Sequence, residues 1–260
     1  MKYSNLTITG KRDGFGCQYN AVLSGMALCH QNRKYRYVHT PFFQVSHGYQ
    51  SPEKTSLVNK ITGIPDGRHG KKIHISRKYI RRVFHNTPYY YSQSFRDVVR
   101  NYYWKNKTCV NVDIVVHIRR GDIHTGDRLI NDKISKHPRY QSNKYYNKLI
   151  PSIVKNYPDH YTIAIHSEGD LSDFTGITDG WPENISERVI WKIGRNGDAQ
   201  CKFDMLSAFH EMVCAKVLIQ SKSGLSFVAG VLNTSDNVYF MPNSVSMGQK
   251  KPLENWKIIT

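Results

Sequence analysis

The chain has 260 residues, of which 39% are hydrophobic and 12% aromatic, enough to bury a core in one large domain or two smaller ones. Its mean hydropathy is -0.55, and no apolar run reaches about 18 residues. Together these exclude a membrane-spanning helix. A net charge of +17, from 37 Lys and Arg against 20 Asp and Glu, predicts a phosphate-bearing partner: a nucleic acid, an anionic membrane or a nucleotide-carried substrate.

The N-terminal residues contain no hydrophobic segment long enough for a signal peptide. Five scattered cysteines without a C-x-x-C pair predict free thiols in a reducing compartment rather than a disulfide frame or a zinc site. We therefore expect a cytoplasmic protein, and a Golgi enzyme that has lost its leader stays the alternative.

The start of the chain predicts a βαβ unit. Residues 3–9 have the pattern of a strand, "GKRDGFGCQ" that of a glycine turn, residues 18–32 the apolar spacing of a helix, and residues 35–42 that of a second strand. Residues 50–110 are basic and rich in tyrosine, and there we predict only a helix near 94–104. The run "KKIHISRKYIRR" at 71–82 favours a solvated basic face over an anion-binding strip.

A second alternating series begins at "VNVDIVVHIRRGD". After a polar loop, it predicts a helix over 142–157, strands over 160–168 and 188–194, and a helix, strand, turn and helix over 201–233. A last strand is predicted over 237–242. We predict an α/β fold with two Rossmann-like domains that face a central cleft. The first is 1–110, the second is 111–242, and the tail 243–260 packs back on the first domain.

Polar clusters follow three predicted strands, at Asp13–Gln18, His117–Asp122 and Ser221–Ser226. In open parallel sheets, ligands lie beyond the carboxyl ends of strands. We therefore expect the three clusters to meet at one site.

The segment "HIRRGD" carries two adjacent arginines, which point opposite ways in extended chain. One can hold a phosphate through its bidentate fork while the other pairs internally, with Asp122 as a nearby partner. His117 lies on the same side as Arg119 and can donate to the same anion. Taken alone, a salt-bridged loop without a ligand explains the segment better.

The serine cluster "QSKSGLSF" precedes a helix and predicts either a phosphate cradle at its N-terminus or ordinary capping by Ser223 or Ser226. The turn "DGFGCQ" lets a ligand approach the bare backbone, although a single G-x-G is a weak signal.

Together and in this order, "GFGCQ", "HIRRGD" and "DMLS…CAKVLIQSKSGLSF…AGVLN" resemble the superfamily of α-1,2-, α-1,6- and protein O-fucosyltransferases, and the α-1,2 branch most. The resemblance covers most of residues 10–240 and is weakest over 45–108. It implies a GT-B fold, GDP-fucose as the nucleotide-sugar donor, and a glycan as the acceptor.

By the resemblance, Arg119 holds the diphosphate, His117 assists, and Arg120 and Asp122 brace the loop. The remaining donor-binding residues that it implies are Gly14, Phe15, Gly16, Gln18, Asp204, Ser221, Ser223, Ser226 and Phe227. No cofactor and no metal are expected, since a guanidinium can neutralise the departing nucleotide. Inversion at the sugar carbon is expected, with Asp13 as the candidate base and Asp122 and Glu168 behind it.

Two departures leave the donor open. Cys17 stands where the family usually has Asn, and Gly224-Leu225 replaces a Ser-Phe pair. A UDP-sugar or another GDP-sugar is therefore a second possible donor. Two further functions stay open: an inactive relative that binds a glycan or nucleotide, and a basic nucleic-acid-binding protein whose tyrosines stack on bases. No nucleic-acid motif supports the binding protein.

Overall fold

The computed structural model describes residues 4–8, 13–46, 49–67, 70–123, 127–130, 133–194, 204–242 and 252–259. Within these ranges the chain forms an α/β fold whose two main sheets are parallel, which confirms the predicted fold class.

The first sheet has the strand order β2-β1-β3, with β1 at Ser4–Thr7, β2 at Tyr35–Tyr37 and β3 at Ile73–His74. Helix α1 (Phe15–Gln31) joins β1 to β2 and begins directly after the glycine turn, three residues earlier than predicted. The chain between β2 and the second sheet adds α2 (Pro52–Thr62), α3 (Arg77–His85), α4 (Thr87–Tyr90) and α5 (Gln93–Trp104). Of these, only α5 was predicted, because α2 and α3 are rich in charged residues and α4 has only four residues.

The second sheet contains, among the described residues, six parallel strands in the order β11-β10-β9-β4-β7-β8. Its strands are β4 (Ile114–His117), β7 (Ile163–Glu168), β8 (Val189–Gly194), β9 (Val217–Ile219), β10 (Val238–Phe240) and β11 (Lys257–Ile258). Helices α6 (Asn143–Val154), α7 (Glu183–Ser186), α8 (Met205–Cys214) and α9 (Gly224–Leu232) accompany them.

The order of the second sheet is that of a doubly wound Rossmann sheet, because the chain fills one side from β4 to β8 and then the other side from β9 to β11. The direction switches between β4 and β9, and ligands of such sheets bind in the crevice at this switch point. The first sheet switches direction beside β1 in the same way. Each half of the chain therefore opens a crevice beyond its first strand.

The polar loop predicted after "HIRRGD" differs in the structure. Strands β5 (Asp127–Ile130) and β6 (Lys133–Lys136) form an antiparallel hairpin there. The alternation of the hairpin is hidden in the sequence by four charged residues among its eight strand positions.

The apolar core crosses the predicted domain boundary near residue 110. Phe15 and Tyr19 of α1 pack against Phe209 of α8, with ring centroids 5.1 and 6.1 Å apart. The C-terminal segment joins both halves: β11 pairs with β10, while Arg96 of α5 donates a 2.9 Å hydrogen bond to Asn255.

Candidate functional site

The three polar clusters meet at one cleft between the two sheets. The cleft has a volume of about 210 Å³ and is formed at the carboxyl ends of β1, β4 and β9. Its lining residues are Asp13, Gly14, Phe15, Gly16, Cys17, His117, Ile118, Arg119, Arg120, Arg139, Glu168, Met205, Ser223, Gly224 and Leu225.

Two helix N-termini converge on this cleft. Helix α1 starts after Gly14, which supplies no side-chain cap, and α9 starts after Ser223, whose Oγ accepts a hydrogen bond of 3.2 Å from the Leu225 amide. The first turns of both helices line the cleft. Backbone amide groups and the positive ends of the two helix dipoles therefore face the same space, which favours an anion there.

The two helices approach backbone to backbone. A Cβ atom on Gly16 would lie 2.2 Å from the Leu225 amide nitrogen, and one on Gly224 would lie 3.2 Å from the carbonyl carbon of Gly16. A side chain at Gly16 would thus push the N-termini apart. The close approach also gives a physical reason for Gly224, one of the two departures from the fucosyltransferase pattern.

Arg119 follows β4 and lies, partly buried, against the start of α9. Its Nη1 donates a hydrogen bond of 3.3 Å to Ser223 Oγ. A guanidinium keeps its proton under all ordinary conditions. The cleft therefore holds a permanent positive charge beside the N-terminus of α9.

Arg120 turns the other way and is only 2% exposed. Its Nη2 donates to Asn143 Oδ1 at 2.7 Å, and its Nη1 donates to the Arg119 carbonyl at 3.0 Å. The guanidinium carbon lies 4.5 Å from the centre of the Tyr140 ring. Burial lowers the pKa of Arg120 from its ordinary value. The side chain braces the loop from inside; that of Asp122, its predicted partner, lies outside the described part of the structure.

His117 is buried and lines the cleft. Its Nδ1 shares a hydrogen bond of 2.8 Å with Ser221 Oγ. Burial, helped by the charges of Arg119 and His166, lowers the pKa of His117 to about 3. The ring is therefore neutral at neutral pH and can donate one hydrogen bond to a ligand without adding charge.

A row of polar side chains continues from His117 across the sheet. His117, His166 and Lys192 are in register on β4, β7 and β8. Glu211 of α8 accepts hydrogen bonds from His166 at 2.8 Å and from Lys192 at 2.6 Å. Burial alone would raise the pKa of Glu211, but these two hydrogen bonds outweigh it and lower the pKa to about 2. The row anchors α8, whose N-terminus borders the cleft.

Two carboxylates border the cleft on opposite sides. Asp13 belongs to the first half and directly precedes the N-terminus of α1, and its Oδ1 accepts a hydrogen bond of 2.8 Å from the Gly14 amide. Glu168 ends β7 and lies against Gly121, where a Cβ atom would be 2.5 Å from Glu168 Oε2. Gly121 also has φ +65°, so a larger residue there would be strained and would displace the carboxylate.

Several predicted donor-binding residues support the cleft from behind instead of lining it. Gln18 Nε2 donates to the Asp13 carbonyl at 2.7 Å and so fixes the glycine turn. Ser221 orients His117, and Ser226 Oγ donates to the Ser221 carbonyl at 3.3 Å. Phe227 lies in the core against Trp256, 5.4 Å between ring centroids.

Asp204 also acts one step away from the cleft wall. It caps the N-terminus of α8 by accepting a hydrogen bond of 2.8 Å from the Ser207 amide, and it accepts another from the Tyr49 hydroxyl. Burial alone would raise the pKa of Asp204, but these hydrogen bonds outweigh it and lower the pKa. Asp204 thus links the first half to α8 beside Met205.

Arg139 and Met205 line the cleft and were not among the predicted site residues. Leu225, noted in the sequence only as part of a departure from the fucosyltransferase pattern, lines it as well. Arg139 stands in "KHPRY", which carries no motif, and it reaches the cleft because the β5–β6 hairpin brings this segment back. Only its charge distinguishes it. In the described part of the chain, no group of three or more His, Cys, Asp or Glu side chains is placed to hold a metal ion.

No protein-family model and no curated protein matches the sequence. Among solved structures, the chain is similar to E. coli heptosyltransferase WaaC with ADP, at 12% sequence identity and a TM-score of 0.40. The match covers 99% of this chain and 66% of that one, so this chain spans just under two thirds of its length. A likeness of this extent carries no argument about activity. None of the helices that the model describes has the length and apolarity to cross a membrane.

Proposed function

We propose that the chain is a glycosyltransferase with a GT-B arrangement that transfers fucose from GDP-fucose to a glycan hydroxyl, inverting the sugar carbon without a metal ion. One observation supports the diphosphate role above all: Arg119 and the N-terminus of α9 border the same cleft at the switch point of the second sheet. The N-terminus of α1 lines the cleft from the first half, where it would face the sugar. The resemblance of "GFGCQ", "HIRRGD" and the serine cluster to fucosyltransferases supports the choice of donor.

The chemistry follows from charge. Transfer breaks the bond between the sugar carbon and a phosphate oxygen, and negative charge builds up on the nucleoside diphosphate as it leaves. A fixed guanidinium at Arg119 stabilises this charge more in the transition state than in the bound donor, which lowers the barrier. Arg139 adds a second cation to the cleft wall, and neutral His117 donates a hydrogen bond.

Inversion places the acceptor hydroxyl on the face of the sugar opposite the diphosphate. With the diphosphate against the second half, the acceptor approaches from the first half, where Asp13 lies. Glu168 lies next to the loop that carries Arg119 and is therefore on the diphosphate side. We assign the base to Asp13 and expect Asp13→Asn to lower transfer by about 100-fold or more while donor binding persists. Glu168→Gln is the matched control and should cost less.

The donor is tested by thermal shift with GDP, UDP, GDP-fucose and UDP-sugars, followed by a transfer assay in excess EDTA. We expect GDP and GDP-fucose to raise the melting temperature most, and transfer to survive the chelator. Stabilisation by UDP-sugars alone would show that the donor is a UDP-sugar and would leave the assignment as a glycosyltransferase unchanged. No stabilisation by any nucleotide would contradict the proposed function.

A further inference from the structure

A second cavity lies at the far end of α1 from the cleft. It has a volume of about 640 Å³ and is lined by Leu28 and Gln31 of the last turns of α1, and by residues of β2, β3 and α3. Because α1 has 17 residues, the last turn of α1 that lines this groove is about 25 Å from the turn that borders the cleft. It is therefore a separate feature of the first half.

The groove is surrounded by large apolar side chains that the fold leaves in solvent. Tyr35, Ile73, Tyr79 and Tyr89 all line it and are 37%, 53%, 50% and 57% exposed. Leu6, Leu28 and Ile75 line it as well. Single exposed apolar residues are ordinary, but a contiguous group around one groove marks an interaction surface.

The same surface carries a high density of positive charge. Residues 71–82 contain six Lys and Arg and no Asp or Glu. Helix α3 turns Ile80, Val83 and Phe84 into the core, which fixes Arg77, Lys78, Arg81 and Arg82 on the outside. No acidic residue appears among the described residues that line the groove. A surface with this charge attracts an anionic partner.

We propose that this basic tyrosine face, made of Tyr35, residues 71–82 and Tyr89, docks the protein on an anionic lipid surface. Lys and Arg clusters bind acidic headgroups, and tyrosine prefers the depth at which headgroups meet hydrocarbon. A nucleic acid would match the charge, but a hydrated phosphate backbone would not remove the exposed Ile73 and the apolar groove from water. Hydrocarbon at the lipid interface covers it.

The geometry gives this docking a consequence. No described residue lines both the groove and the cleft, so a partner that covers the face does not occupy the cleft. The inference stands on charge and exposure in the first half alone and does not depend on which reaction the cleft performs.

The test is vesicle flotation of the full chain with phosphatidylcholine vesicles that contain or lack phosphatidylserine. We expect binding only when phosphatidylserine is present, and weaker binding in high salt. Each Lys or Arg near the surface contributes about a five-fold factor. A variant with Lys71→Gln, Arg77→Gln, Lys78→Gln and Arg81→Gln should therefore bind at least about 100-fold more weakly.

A matched control carries Lys60→Gln, Lys144→Gln, Lys148→Gln and Lys155→Gln, all at exposed positions outside the face. It has the same net charge as the first variant and should keep most of the binding. A third variant, Ile73→Ser with Tyr79→Ser and Tyr89→Ser, should also lose binding although its charge is unchanged. Equal loss in the control and the first variant, equal binding to both vesicles, or binding to single-stranded RNA without binding to vesicles would overturn the proposal.

Discussion

Strands β4 and β9 of the second half are buried at every position, whereas β1 of the first half is buried only at its end and β3 is exposed throughout. The cleft reflects this difference. The second half supplies two charged side chains, Arg119 and Arg139, from loops at the carboxyl end of a buried sheet. The first half supplies the buried helix α1, whose N-terminal backbone faces the ligand space. The small, largely exposed sheet of the first half is sufficient, because the groups that this half presents to the cleft belong to the backbone of the well-packed helix α1.

Within the second half, the buried Arg120 and the cleft-lining Arg119 should differ in what they contribute, and the largest expected effect is that of Arg120 on stability. Replacing it with alanine removes the hydrogen bonds to Asn143 and to the Arg119 carbonyl and the stacking on Tyr140, and it leaves a cavity, so we expect a loss of about 3 to 5 kcal/mol of unfolding free energy. Thermal and denaturant unfolding measure this. An Arg120→Ala protein as stable as the parent would show that the loop does not need its internal arginine.

Arg119 should behave in the opposite way. Arg119→Ala should lower transfer about 100- to 1,000-fold, because it removes charge stabilisation of the leaving nucleotide, while the melting temperature stays close to that of the parent. Steady-state kinetics and calorimetry on the same sample check both. Near-normal turnover would break the division of labour between the two arginines.

The contact between the halves is tested at Gly16. A methyl group there meets the Leu225 backbone, so Gly16→Ala should cost about 3 kcal/mol and lower the melting temperature by about 6 °C or more. Gly180→Ala is the control: it has φ +70° but open space around it, so only the backbone strain of about 1 kcal/mol applies. Equal losses would mean that α1 and α9 are not pressed together.

The smallest expected effect is on pH dependence. The pKa of His117 is lowered to about 3 and that of His39 to about 4, both by burial first. The unfolded chain therefore binds more protons than the folded one below about pH 6.5, and stability falls as pH drops toward these values. At pH 5, His117→Gln should recover about 2 kcal/mol of this loss, relative to its effect at pH 8. An identical pH profile for the variant would contradict the buried, neutral imidazole.

Sequence patterns predict the second half better than the first for a physical reason. Buried parallel strands such as "DIVV" and "KVLI" carry continuous apolar runs, which few other structures require. The exposed β3 and the charged helix α3 bury too few residues to leave such a record. The hairpin β5–β6 is missed because four of its eight strand residues are charged and hide the alternation.

The site is predictable to a similar degree. Polar residues that closely follow buried strands, such as Arg119 and Ser223, can be predicted. The apolar run of the strand is recognisable in the sequence, and its end shows where the loop begins. Arg139 reaches the cleft through the fold of a hairpin, and Gly224 acquires its role through a contact with α1. Both depend on distant parts of the chain, which local patterns do not encode.

The most direct test of the cleft is a structure of the protein with a bound nucleoside diphosphate such as GDP. We expect the two phosphates within hydrogen-bonding distance of the Arg119 guanidinium and of the first amides of α9. A diphosphate bound elsewhere, with Arg119 untouched, would contradict the proposed role of the cleft.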